Sequence, residues 1–224
     1  MAMIYGVDSV APANARLTNG YTLFDWVMRM SCYPSFWGRT LLGDMAITND
    51  EIEFLHRKKC KVGFIVHNLS EAEISSDDGI EKAITAVRVA QALRIPQNKG
   101  ITIFAYINPE WSVNHDWMLS FASRIVKHGY TVGFIGNTDS SINFNFGRQC
   151  SHYVQANNKK WHYPTVYWAT EPKLNHEPNI WAPYAPSQLL PQDMHLWNYG
   201  KITFHNILVQ KSYLRDNSIM QSFF

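Results

Sequence analysis

The sequence predicts an α/β fold, a single irregular (β/α) barrel of the TIM type spanning residues 1–224, and three observations predict it. Apolar, strand-like runs recur eight times. Segments of helical character separate the first five of them. From residue 157 onward the helical signal gives way to Pro- and Trp-rich text while strand-like runs continue. About five βα units should therefore precede three strands with few helices. Strands alternating with helices imply right-handed crossovers and a parallel sheet.

The first run, 3–8, ends on Gly6-Val7-Asp8. A strand that delivers one carboxylate from its C-terminal end is how such a barrel places a catalytic group, because active sites gather at that rim. Further runs lie at 35–41, 61–67, 101–107, 131–136, 164–169, 194–199 and 202–209. Helical text occupies 21–31, 48–59, 78–94 and 111–128. The segment 78–94 carries Ile80, Ala83, Ile84, Val87, Ala90 and Leu93 near a 3.6-residue period and closes on Arg94-Ile95-Pro96. Thr48 offers an N-cap to the segment 48–59, with Asp50 and Glu51 in its first turn and basic residues from His56 to Lys59 at its end, which suits the helix dipole. Between 157 and 203, Pro164, Pro172, Pro178, Pro183, Pro186 and Pro191 interrupt any helix. No repeat, low-complexity tract or linker divides the chain.

A chain of 224 residues can bury a full core without metals or disulfides. Its net charge of +2 is small and scattered, which argues against a nucleic-acid or anionic-membrane surface. Cys32, Cys60 and Cys150 are an odd count without metal-ligand spacing and read as core thiols. No signal-peptide pattern opens the chain and no apolar run approaches the ~20 residues of a membrane span, so a soluble chain is expected, with any export by another route. The eight Trp and eleven Tyr suit sugar rings as well as a core.

Strand ends supply the candidate chemistry. Asp8 ends the first strand, His67 the third, and Asn108-Pro109-Glu110 follows the fourth. Glycoside hydrolysis needs two carboxyl groups, at ~5–5.5 Å for retention or ~6.5–9.5 Å for inversion, and Asp8 with Glu110 could form such a pair. A substrate bearing a 2-acetamido group could supply its own nucleophile, leaving Asn108 or Asp8 to orient it. The plain alternatives are that Asp8 hydrogen-bonds strand-end amides and that Glu110 opens the next helix. Trp111, Trp168, Trp197 and Tyr199 are candidates for sugar stacking, with core packing as the alternative for Trp197. Arg39 could pair with Asp8 or Glu110, Glu171 is a third rim acid, and His205 faces the last strand. His67, His205 and Asp8 could together hold a metal for a hydrolase, but scattered His without HxH or HExxH spacing reads first as hydrogen-bonded rim residues, so no metal is expected, and the absence of a P-loop or GxGxxG predicts no cofactor.

Several of these pieces, Gly6-Val7-Asp8, Phe36-Trp37-Gly38-Arg39, Gly129 to Gly136, Trp168-Ala169 and Leu196-Trp197-Asn198-Tyr199, follow one another as in family 25 lysozymes, and the chain resembles the glycoside-hydrolase-like barrels related to those muramidases. The resemblance implies an Asp on the first strand, an Asp-x-Glu after the fourth and an Asp on the last. Asp8 and Glu110 match; Asn108 replaces one Asp, and Phe204-His205-Asn206 carries none. The resemblance thus implies action on an amino-sugar polymer such as peptidoglycan, with Glu110 as general acid and Asp8 as base, nucleophile or orienter. A barrel that has lost catalysis and keeps its groove for carbohydrate binding or protein interaction is the alternative.

Overall fold

The computed structural model describes residues 3–139, 145–170, 177–204 and 206–224. Eight strands close into one barrel in chain order: β1 (Ile4–Ser9), β2 (Phe36–Thr40), β3 (Lys61–Val66), β4 (Thr102–Tyr106), β5 (Thr131–Asn137), β6 (Thr165–Thr170), β7 (Leu196–Phe204) and β8 (Ile207–Leu214). Neighbours from β1 to β7 pair in parallel. Helices α1 (Leu23–Met30), α2 (Asn49–Arg57), α3 (Glu71–Ile74), α4 (Ile80–Ala92), α5 (His115–Lys127) and α6 (Asn145–Ala156) fall between the first six strands. Beyond α6, the helical pieces before β7 among the described residues are a π-helical turn at Asn157–Trp161 and a 3-10 turn at Pro191–Asp193.

Two points correct the sequence reading. The parallel sheet fails at its last member, since β8 runs antiparallel to both β7 and β1. Only two residues separate β7 from β8, and a parallel crossover needs a dozen or more. The helices α3 and α6 were also missing from the sequence pattern. α3 is a single turn built on a capping box between Ser70 and Glu73.

The period-2 alternation sorts the strands into two cores. Phe36, Ile65, Phe104, Ile135, Trp168, Leu196 and Leu214 fill the barrel interior. The opposite faces, including Trp37, Phe64 and Phe134, pack outward under the helices, where Trp37 stacks on Phe24 and Phe134 meets Tyr153 edge-on. The N-terminal end of the barrel is plugged from below. Phe223 lies beneath Gly63, and the backbone of Phe224 pairs with Val62. That plug leaves the C-terminal end as the one at which inward-facing polar residues collect.

Candidate functional site

Inside the barrel, glycine makes room for a carboxyl group. A Cβ added at Gly38 would stand 2.7 Å from Asp8 Cβ and 2.8 Å from Ile65 Cδ1, so the Asp8 side chain fits only because its β2 partner carries none. Asp8, His67 and Tyr106 continue the inward-facing rows of β1, β3 and β4 and meet at the mouth of the barrel. A cavity of about 490 Å³ opens there. Its walls are Asp8, His67 and Tyr106, the segment Ser9 to Ala11 after β1, Met45 after β2, and the hairpin residues Asn206, Ile207, Leu208 and Gln210. The volume is that of a small-molecule subsite. The hairpin wall is tied down by Ser9 Oγ donating to Leu208 O at 2.9 Å and by Phe204 meeting Trp26 edge-on.

Asp8 is 4 % exposed, and its Oδ1 has no hydrogen-bond partner among the described residues. Burial without a compensating donor penalises the charged form, and the carboxyl is pushed up to about 8. It therefore holds its proton at neutral pH. His67 is shifted the opposite way by the same cause: burial, and then the Arg39 charge, bring it down to about 4, so its ring is neutral. The His67 and Tyr106 rings lie 5.2 Å apart, and burial, with Asp8 as a second cause, raises the Tyr106 hydroxyl. The mouth is thus a patch of uncharged hydrogen-bonding groups in an apolar wall.

Glu110 sits elsewhere on the rim. It is exposed, on the turn after β4, and its N–H donates to Asn108 Oδ1 at 3.0 Å. The loop beyond is held by α3: Ser112 N–H donates to Glu71 Oε1 and Asn114 N–H to Ile74 O. Glu110 does not line the Asp8 cavity. Trp111, partly buried, packs onto the outer core beside it. Four other candidates do not line the mouth cavity. Arg39 points outward from β2 and is fully enclosed. Trp168 is 1 % exposed in the barrel interior, against Phe36 and Phe104. Trp197 lies outside the sheet against Trp181, and Tyr199 stacks on Tyr213 while donating to Glu177 Oε1 at 2.6 Å. For Arg39, Trp197 and Tyr199 the parity of the strand sets the outward direction, which a continuous apolar run does not reveal, whereas Trp168 faces inward within the packed interior. Glu171 and His205 lie outside the described residues.

Tyr106, Gln210 and Asp139 shape this end of the barrel and escaped the sequence reading. Tyr106 was legible, two residues on from inward-facing Phe104. Gln210, which accepts from Asn198 Nδ2, is not legible because the apolar run 202–209 ends just before it, while β8 continues to Leu214. Asp139 is buried just past β5, its N–H donating to Asn137 Oδ1 at 2.8 Å. Among the described residues no group of three or more His, Cys, Asp or Glu could hold a metal ion, and no helix is long and apolar enough to cross a membrane.

No protein-family model matches the sequence, and none of the curated proteins matches it. Solved structures do. An uncharacterized B. stearothermophilus protein is similar at 25% identity over 99% of this chain and 100% of its own, with a TM-score of 0.79. The Mycobacterium tuberculosis Tat-secreted protein Rv2525c is similar at 13% identity over 94% of each chain, with a TM-score of 0.59. The Clostridium perfringens spore cortex lytic enzyme SleM is similar at 13% identity over 96% of this chain and 68% of its own, with a TM-score of 0.56. At 13% identity the last two likenesses speak to the fold.

Proposed function

We propose that this protein is a glycoside-hydrolase-like barrel that takes an amino-sugar polymer of the peptidoglycan type in its mouth, with Asp8 at the centre of the site. The observation that carries the reading is Asp8 itself, a buried carboxyl whose Oδ1 has no partner among the described residues, facing a cavity at the rim where barrels hold their active sites. A fold neighbour described as a spore cortex lytic enzyme supports the substrate class, and one described as Tat-secreted supports export.

Protonated at neutral pH, Asp8 is suited to give a proton rather than to take one. That favours it over Glu110 as the acid and leaves the second role to Glu110 or to the substrate. In the latter case the 2-acetamido oxygen attacks the anomeric carbon while the Asp8 proton passes to the departing glycosidic oxygen. Water then attacks the same carbon, returns a proton to Asp8 and restores the acetamide. A second reading, a barrel that binds such a polymer without cutting it, is favoured by one observation: Glu110 is exposed on its turn, outside the cavity.

Incubation with peptidoglycan fragments and chitin-type oligomers, read by mass spectrometry and calorimetry, separates the two. Cleavage lost in Asp8→Asn, with binding retained, is the expected result. Binding without cleavage in the wild type would establish the second reading, and neither binding nor cleavage of any oligomer would remove both.

A further inference from the structure

We infer that Arg39 and Glu51 are the positioning pair of this site: they clamp the two loops that wall the Asp8 cavity and so hold its carboxyl in its buried setting. All five guanidinium hydrogens are used. Nε donates to Glu51 Oε1 at 2.6 Å and Nη2 to Glu51 Oε2 at 3.1 Å. Nη1 donates to the carbonyls of Ser9 at 3.0 Å and Val10 at 2.5 Å, and Nη2 to that of Met45 at 2.9 Å. From the other side, Glu51 Oε1 accepts the Ala13 N–H at 2.7 Å. Ser9, Val10, Ala11 and Met45 are cavity walls, so one ion pair holds both the loop after β1 and the loop after β2.

The saturation matters. A guanidinium has five donors and no more, so Arg39 has nothing left to offer a ligand; it acts through the loops it holds. The pair is wholly enclosed, and a buried pair of this kind is seldom the most stable way to fill its space. Hydrophobic residues would fill that volume, but they would not fix three carbonyls and an amide in register. Arg39 also contributes the second cause that keeps His67 neutral.

The inference rests on Asp8 being the working group, and its test reads that carboxyl without any glycan, so it can fail while the glycan reading stands. The double variant Arg39→Leu/Glu51→Leu removes both charges together and avoids stranding either. Carbon-detected NMR titration should then find the Asp8 midpoint falling from about 8 toward the ordinary carboxylate value near ~4, as water reaches it. His67 and Tyr106, the titratable groups among the described residues that face Asp8 across the cavity, are followed in the same titration. Arg39→Lys, with three donors for five positions, should lower the midpoint less. In the wild type, the Ala13 N–H should exchange as slowly as the strand amides of β1. An Asp8 midpoint unchanged in either folded variant, or fast Ala13 exchange in the wild type, would overturn the inference.

Discussion

At the scale of single residues, two tryptophans expected to serve the same sugar-stacking role, Trp111 after β4 and Trp168 on β6, have opposite roles in the structure. Trp168 is a column of the barrel interior, so Trp168→Ala should cost about 3–5 kcal/mol of stability in urea unfolding, the usual range for an enclosed large aromatic. Trp111 stands partly buried beside Glu110, outside the barrel. Trp111→Ala should weaken oligomer binding by about 1 kcal/mol, the scale of one aromatic contact, while lowering the unfolding midpoint less than Trp168→Ala does. Equal losses of stability from both variants would show that Trp111 too is only packing. Asp8 was legible as a strand-end acid; its proton was not, because its burial depends on Gly38 of β2 beside it and on His67 and Tyr106 of other parts of the chain at the same mouth.

At the scale of elements, the short helix α3 has more influence than its length suggests. Its capping box joins Ser70 and Glu73, and its Glu71 and Ile74 hold the loop that carries Glu110 and Trp111. Ser70→Ala should cost about 1 kcal/mol, as lost N-caps usually do, seen as a lower urea midpoint at unchanged slope. An unchanged midpoint would mean that the loop contacts, rather than the cap, hold the turn. The long helices were legible because caps and 3.6-residue periods are local, as at Thr48 and across 80–92. The β7–β8 hairpin was not. Its turn lies inside an apolar run, 202–209, that reads as one strand.

For the whole molecule, the shifted groups set how stability depends on pH. Asp8 has a folded value of about 8, above its unfolded one, so the unfolded chain releases a proton that the folded chain keeps, and stability falls as pH rises from about 4 to about 8. His67 and His195 are both depressed to about 4 by burial, so between about 4 and 6.5 the unfolded chain binds two protons that the folded chain does not. Over that lower range two histidines outweigh one aspartate and stability rises with pH. Above it, Asp8 acts alone and stability declines. The midpoint of chemical unfolding should therefore peak near pH ~6.5, and Asp8→Asn should flatten the descent between there and pH ~8. A wild-type descent that survives the substitution would assign it to another group.

What the sequence determined by itself was what depends on near neighbours along the chain: the number and rough places of the strands, four of the helices between them, the fading of helix after residue 157, and an acid at the end of β1. What only the tertiary structure decided was direction. Strands covered on both faces read as unbroken apolar runs, so nothing local tells whether Arg39 or Gly38, Trp197 or Asn198, turns inward. The antiparallel course of β8 is likewise settled by its partners, β7 beside it and β1 some two hundred residues away. The same holds for the state of Asp8. A carboxyl keeps its proton because of what surrounds it, and its surroundings are assembled only when the barrel closes.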